Sequence, residues 1–114
     1  MTDRFFLGEF EQVVLLAVAR LGGEGYGMTV RREIEQRTGR EVSIGAIYAT
    51  LDRLERKGFV RSREGEPTPE RGGRARRHFA LERAGAQALR RTQHMLEQMW
   101  ADVELGAPRG AGSR

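Results

Sequence analysis

Apolar residues recur along the chain with helical spacing. From Leu7 they fall at Phe10, Val13, Val14, Ala17, Val18 and Leu21, which predicts an amphipathic helix that stops at Gly22-Gly23. Gly25-Tyr26-Gly27 reads as a turn into a second helix, with Tyr26, Val30 and Ile34 four apart and Gly39 placed to end it. Ser43 is a natural N-cap for a third helix. Its stripe is Ile44, Ile47, Leu51 and Leu54, with Tyr48 at the edge. At about 100° per residue the far side carries Ala46, Ala49, Arg53, Arg56 and Lys57, and Gly58 closes the helix.

The periodicity then changes. Phe59 to Arg63 and Ala75 to Leu81 read as two strands. The residues between them include Pro67, Pro69, Gly72 and Gly73 and read as a long hairpin loop. A last helix begins near Glu82, where Leu89, Thr92, Leu96, Met99 and Val103 step by three and four beside Ala88, Met95 and Trp100. About twenty residues would reach roughly 30 Å, more apolar helix than a small domain needs for its own core. The fold class is therefore mainly α with a small β-hairpin: a winged helix-turn-helix plus a long C-terminal helix. The expected organisation is a winged helix-turn-helix over residues 1–81, a C-terminal helix over 82–105 and a disordered Gly/Ala/Pro/Ser/Arg tail over 106–114.

Composition adds a partner. The chain has 114 residues, one small domain whose modest core would gain from self-association. Net charge is +4, which by itself only leans towards a polyanion. Its placement says more: Arg61 to His78 holds six Arg against three Glu, whereas Glu24 to Val42 balances four against four. The excess sits on the hairpin beside the third helix.

Other chemistries find no support. Without Cys, disulfides and thiolate metal sites are excluded. His78 and His94 stand sixteen apart with no His-Glu-x-x-His pattern, so no metal is expected. Ser43 and Ser62 lack a Gly-x-Ser-x-Gly context, and Gly72-Gly73 lacks Walker spacing, so neither an enzyme nor a cofactor is expected. No apolar run reaches spanning length and no signal pattern opens the chain, which points to a cytoplasmic protein with no membrane contact.

A helix with small and basic residues on one face, leading into a basic ribbon, suits double-stranded DNA. The helix fits the major groove, and its exposed N-terminal half reaches base edges. The candidate reading residues are Ser43, Gly45, Ala46, Tyr48, Ala49, Thr50 and Arg53. Gly45, Ala46 and Ala49 permit close approach, and Ser43 and Thr50 offer hydroxyls. Arg53 is better placed for the backbone. Tyr48 either gives its hydroxyl to a phosphate or simply packs. The candidate wing contacts are Gly72, Gly73, Arg74, Arg76 and Arg77, since a narrow minor groove attracts Arg. The alternative is a winged helix used as a protein-interaction module without specific DNA binding.

Five segments in order resemble the PadR family of transcriptional regulators, in its short type with one C-terminal helix. They are Leu7-Gly8-Glu9-Phe10-Glu11, Gly25-Tyr26-Gly27, Ile47 through Gly58, Gly73-Arg74-Ala75-Arg76-Arg77 and Leu81-Glu82-Arg83-Ala84-Gly85. Two positions depart from the pattern: many members have Pro at Ala49 and an aromatic at His78. The resemblance implies a homodimeric repressor of pseudo-palindromic operators, with C-terminal helices packed across the two-fold axis. Leu89, Thr92, Met95, Leu96, Met99, Trp100 and Val103 would form that interface. Some members of the family sense small aromatic compounds near the dimer centre, so the resemblance leaves room for such an effector here. Met95, Met99 and Trp100 form either its pocket or a plain seam.

Overall fold

The computed structural model describes residues 6–67 and 75–106. Each apolar stripe becomes a helix: α1 is Glu9–Arg20, α2 is Gly27–Thr38, α3 is Ile44–Arg56 and α4 is Arg83–Trp100. The hairpin strands β1, Val60–Pro67, and β2, Ala75–Leu81, separate α3 from α4.

The termini of these helices are written locally. The Ser43 hydroxyl accepts from the Ala46 amide at 3.0 Å, capping α3 as its sequence suggests. At the other end Gly58 adopts φ 81°. The Phe59 amide then donates to the Leu54 carbonyl at 2.9 Å and the Gly58 amide to that of Glu55, the paired bonds of a Schellman close. This turn aims the chain directly into β1.

The hairpin differs from its sequence reading. Strand β1 starts at Val60 rather than Phe59 and runs on through Pro67. The register from Val60↔Leu81 to Glu64↔Arg77 is broken by an irregularity before the Pro67↔Ala75 pair. Gly65 and Pro67 have poor strand propensity, but an edge strand with a bulge tolerates both. A further bridge was not foreseen: the Phe79 amide donates to the Gly25 carbonyl at 2.8 Å, adding the α1–α2 connection to the free edge of β2.

The core lies where all elements meet. Val14, Leu15 and Val18 of α1, Val30 and Ile34 of α2, and Ile47, Leu51 and Leu54 of α3 are buried against Phe79, Val60 and Ala88. Only the first half of α4 joins this core, through Gly85, Ala88 and Thr92. From Gln93 onward the helix is exposed. This overturns one expectation: Thr92 is 1% exposed, and its hydroxyl accepts from the Leu7 amide at 3.1 Å. It pins the chain's N-terminal lead-in to α4 and has no surface left for a second copy. Val103 falls beyond the helix, which ends at Trp100. Most of the expected tail, 107–114, lies outside the described residues. Among the described residues no helix is long and apolar enough to cross a membrane.

Candidate nucleic-acid interface

Helix α3 owes its two faces to its sequence period. Ile47, Leu51 and Leu54 point into the core, so Gly45, Ala46, Ala49, Arg53 and Arg56 form an exposed ridge, with Ser43 at its head. Nothing larger than a methyl group stands on its first two turns. Tyr48 is half-buried, packed over Gly27 so closely that a Cβ on that glycine would overlap the ring. Thr50 corrects the sequence reading. It is 2% exposed, because it lies three residues from Ile47 and four from Leu54, on the buried flank. Its hydroxyl meets Arg53 Nη2 at 3.4 Å and does not face a base.

Three of the cations around this ridge, Arg53, Lys57 and Arg77, are paired with carboxylates. Arg53 Nε and Lys57 Nζ approach the same Glu11 Oε2, at 3.2 and 2.7 Å. Burial raises the Glu11 carboxyl, but hydrogen bonds from Lys57, the Gly8 amide and Arg53 outweigh it and hold the group below the ordinary carboxylate range. Arg77, expected on the wing surface, instead reaches α3. Its Nη2 is 2.7 Å from Glu55 Oε1, its Nη1 is 3.4 Å from Asp52 Oδ1, and its guanidinium lies over the Phe79 ring. Ser62 of β1 donates to the other Glu55 oxygen at 2.7 Å. The inner face of the hairpin is thereby strapped to α3.

Arg76 lies on the opposite face. Its guanidinium stacks 4.2 Å from the centre of the Tyr26 ring, and His78 meets the same ring edge-on at 5.5 Å. Tyr26 is the N-cap of α2, so the outer face of the hairpin is registered against that helix. Gly72, Gly73 and Arg74 lie outside the described residues.

The second half of α4 presents Met95, Leu96, Met99 and Trp100, all exposed, with Val103 and Leu105 following. Between α1 and α4 runs an open groove of about 420 Å³, lined by Gln12, Leu16, Leu89, Gln93, Leu96, Glu97 and Trp100. Trp100 lines this groove, whereas Met95 and Met99 do not. Sequence reasoning missed Leu16, 47% exposed on α1, and Glu11. The helical period placed Leu16 outside the core stripe, a signal that was available; the Glu11 pairing crosses forty-two residues and left none.

Comparison with known proteins bears on this arrangement. The family model described as the transcriptional regulator PadR-like family matches residues 15–91. The chain is 34% identical over 89 residues to an uncharacterised 37.1 kDa protein in transposon TN4556 of Streptomyces fradiae, covering 78% of this chain and 23% of that protein. The chain thus spans under a quarter of that relative's length. Among solved structures, a complex of hsRosR-S1 is 28% identical with a TM-score of 0.65, covering 84% of this chain and 79% of the other. RosR of H. salinarum matches at 24% identity and TM-score 0.63, over 86% and 81% of the two chains. A PadR-like transcriptional regulator from Bacillus cereus is 18% identical with a TM-score of 0.63, over 79% and 82%. The latter two likenesses speak to the fold: four helices and a two-stranded hairpin in winged-helix order.

Proposed function

We propose, from the premise that this chain belongs to the PadR-like family of transcriptional regulators, that it binds double-stranded DNA sequence-specifically as a homodimeric repressor. The family is one of regulators rather than enzymes. The observation that carries the reading is the α3 ridge. Gly45, Ala46 and Ala49 are exposed on the half of the helix that would enter the major groove, and Arg53 and Arg56 follow where the backbone would run. The hairpin is strapped beside it by Arg77, and a flanking minor groove would attract the basic wing, Arg74 above all.

The exposed half of α4 supports the homodimer. Met95, Leu96, Met99 and Trp100 fall on one face of α4 and are exposed, which supports an interaction through that face. A two-fold pairing through this face would set two α3 helices about one DNA turn apart on a pseudo-palindrome. A flat apolar effector entering the Leu16–Trp100 groove would shift their spacing and release the operator, through unequal affinity for the two states. The expected setting is the cytoplasm.

The test is a titration of the purified protein against the duplex upstream of its own gene and a scrambled duplex, at two salt concentrations. The reading expects tight, salt-sensitive binding that prefers the native duplex. Binding that is equal, weak and indifferent to salt on both would favour a protein-interaction module instead.

A further inference from the structure

Glu11 stands at the start of α1, yet its carboxylate belongs to α3. Oε2 takes Arg53 Nε at 3.2 Å and Lys57 Nζ at 2.7 Å, while Oε1 takes the Gly8 amide at 3.1 Å. Its side chain is only 11% exposed, whereas that of Arg53 is 45% exposed. A nearly buried anion therefore lies directly behind two cations at the C-terminal half of the reading helix. One negative charge stands against two positive charges.

This arrangement has a cost and a use for a DNA-binding helix. Sequence-independent affinity comes from phosphates neutralised by cations and from the counterions so released. A cation that already has a carboxylate releases fewer. Base readout by the Gly45-Ala46-Ala49 ridge draws on no such charge. The phosphate term enters specific and non-specific complexes alike, so weakening it lowers affinity for every duplex and leaves discrimination to the ridge.

We propose that Glu11 tunes the overall DNA affinity: it competes with backbone phosphate for Arg53 and Lys57 and so limits sequence-independent binding to any duplex. The inference rests on the DNA-binding reading above. It opposes the plainer role of a staple between α1 and α3, because the two predict changes of opposite sign. If the carboxylate merely holds α3 in place, removing its charge loosens the helix and weakens every complex. If it competes with phosphate, removing its charge strengthens binding to any duplex.

The experiment measures affinity for a mixed-sequence duplex over a range of salt, for the native chain and for Glu11→Gln. The amide side chain keeps the shape and an acceptor for the Gly8 amide while removing the charge. The expected result is tighter binding, with the slope of log K against log salt steeper by about 0.9 for each freed cation, up to about 1.8. That gain should vanish when Arg53→Ala and Lys57→Ala are added to Glu11→Gln. Equal or weaker binding by a Glu11→Gln protein that circular dichroism finds folded would overturn the proposal. Should Glu11→Gln fail to fold, Arg53→Ala and Lys57→Ala in the native chain decide instead. Each is then expected to flatten the slope by clearly less than 0.9, and a full loss at both would mean that phosphate already holds these cations. A native chain with no salt-dependent binding would remove the DNA-binding reading itself, a different result from any of these.

Discussion

Ala49 and Thr50 are neighbours in the chain and opposites in the fold. A step of about 100° moves the side chain from the open ridge to the packed flank, and Thr50 ends 2% exposed. The two halves of the ridge hypothesis can be separated on this basis. Ala46→Glu places a carboxylate at the exposed ridge and should abolish duplex binding, with unfolding free energy changed by less than about 0.5 kcal/mol. Thr50→Val should leave duplex affinity unaltered. Titration and denaturant melts on both variants check this, and loss of affinity in Thr50→Val with native stability would return that residue to the groove. Glu11 adds a pH dependence of known sign. Its folded-state carboxyl is held below the ordinary value of 4.5, so the stabilisation is fully present above that value. It is lost as pH falls through the depressed folded-state value. Melts of the native chain should therefore lose stability on acidification below about pH 4.5, and Glu11→Gln should lose less. Parallel acid profiles would mean that the pairing contributes nothing to folding.

At the scale of elements, the hairpin and α4 are oriented in part by polar contacts that the period of their own residues does not reveal. The hairpin's inner face is strapped to α3 by Arg77 through Glu55 and Asp52. Exposed pairs of this kind contribute only about 0.2–1 kcal/mol each, so the strap orients more than it stabilises. Arg77→Ala should accordingly weaken DNA binding and speed amide exchange in β1 and β2 while barely moving the melting temperature. The same loss is expected for Glu55→Gln combined with Asp52→Asn. Tighter binding by that double variant would instead identify Arg77 as a phosphate contact whose acids had been restraining it. In α4 the division falls at Thr92. Its side chain ties the N-terminal half of the helix to Leu7, and the half beyond it touches no core.

For the whole molecule, that unpartnered half is the consequence to test. Leu96 is 40% exposed within one chain, so Leu96→Asp places no charge in the core of the protomer. It should yield a folded monomer, and the melting temperature should lose its dependence on protein concentration. Sedimentation equilibrium checks this, and a variant that still dimerises would move the interface elsewhere. Much of the molecule is legible without coordinates, because a repeat of three and four residues, a Ser cap and a Gly stop are local properties. They suffice for the four helices, for the faces of α3 apart from Thr50, and for the resemblance to a regulator family whose model matches residues 15–91. The Pro67 end of β1 escaped because its propensity is poor and only pairing with Ala75 makes it a strand. Thr92 escaped because periodicity assigns a helix face but not what covers it. What tertiary structure alone decided is which charges are already taken. Glu11 meets Lys57 across forty-six residues, and Arg77 meets Asp52 across twenty-five. Ion pairs at such separations have no period, so a basic surface counted from the sequence overstates the charge that is free to meet a phosphate.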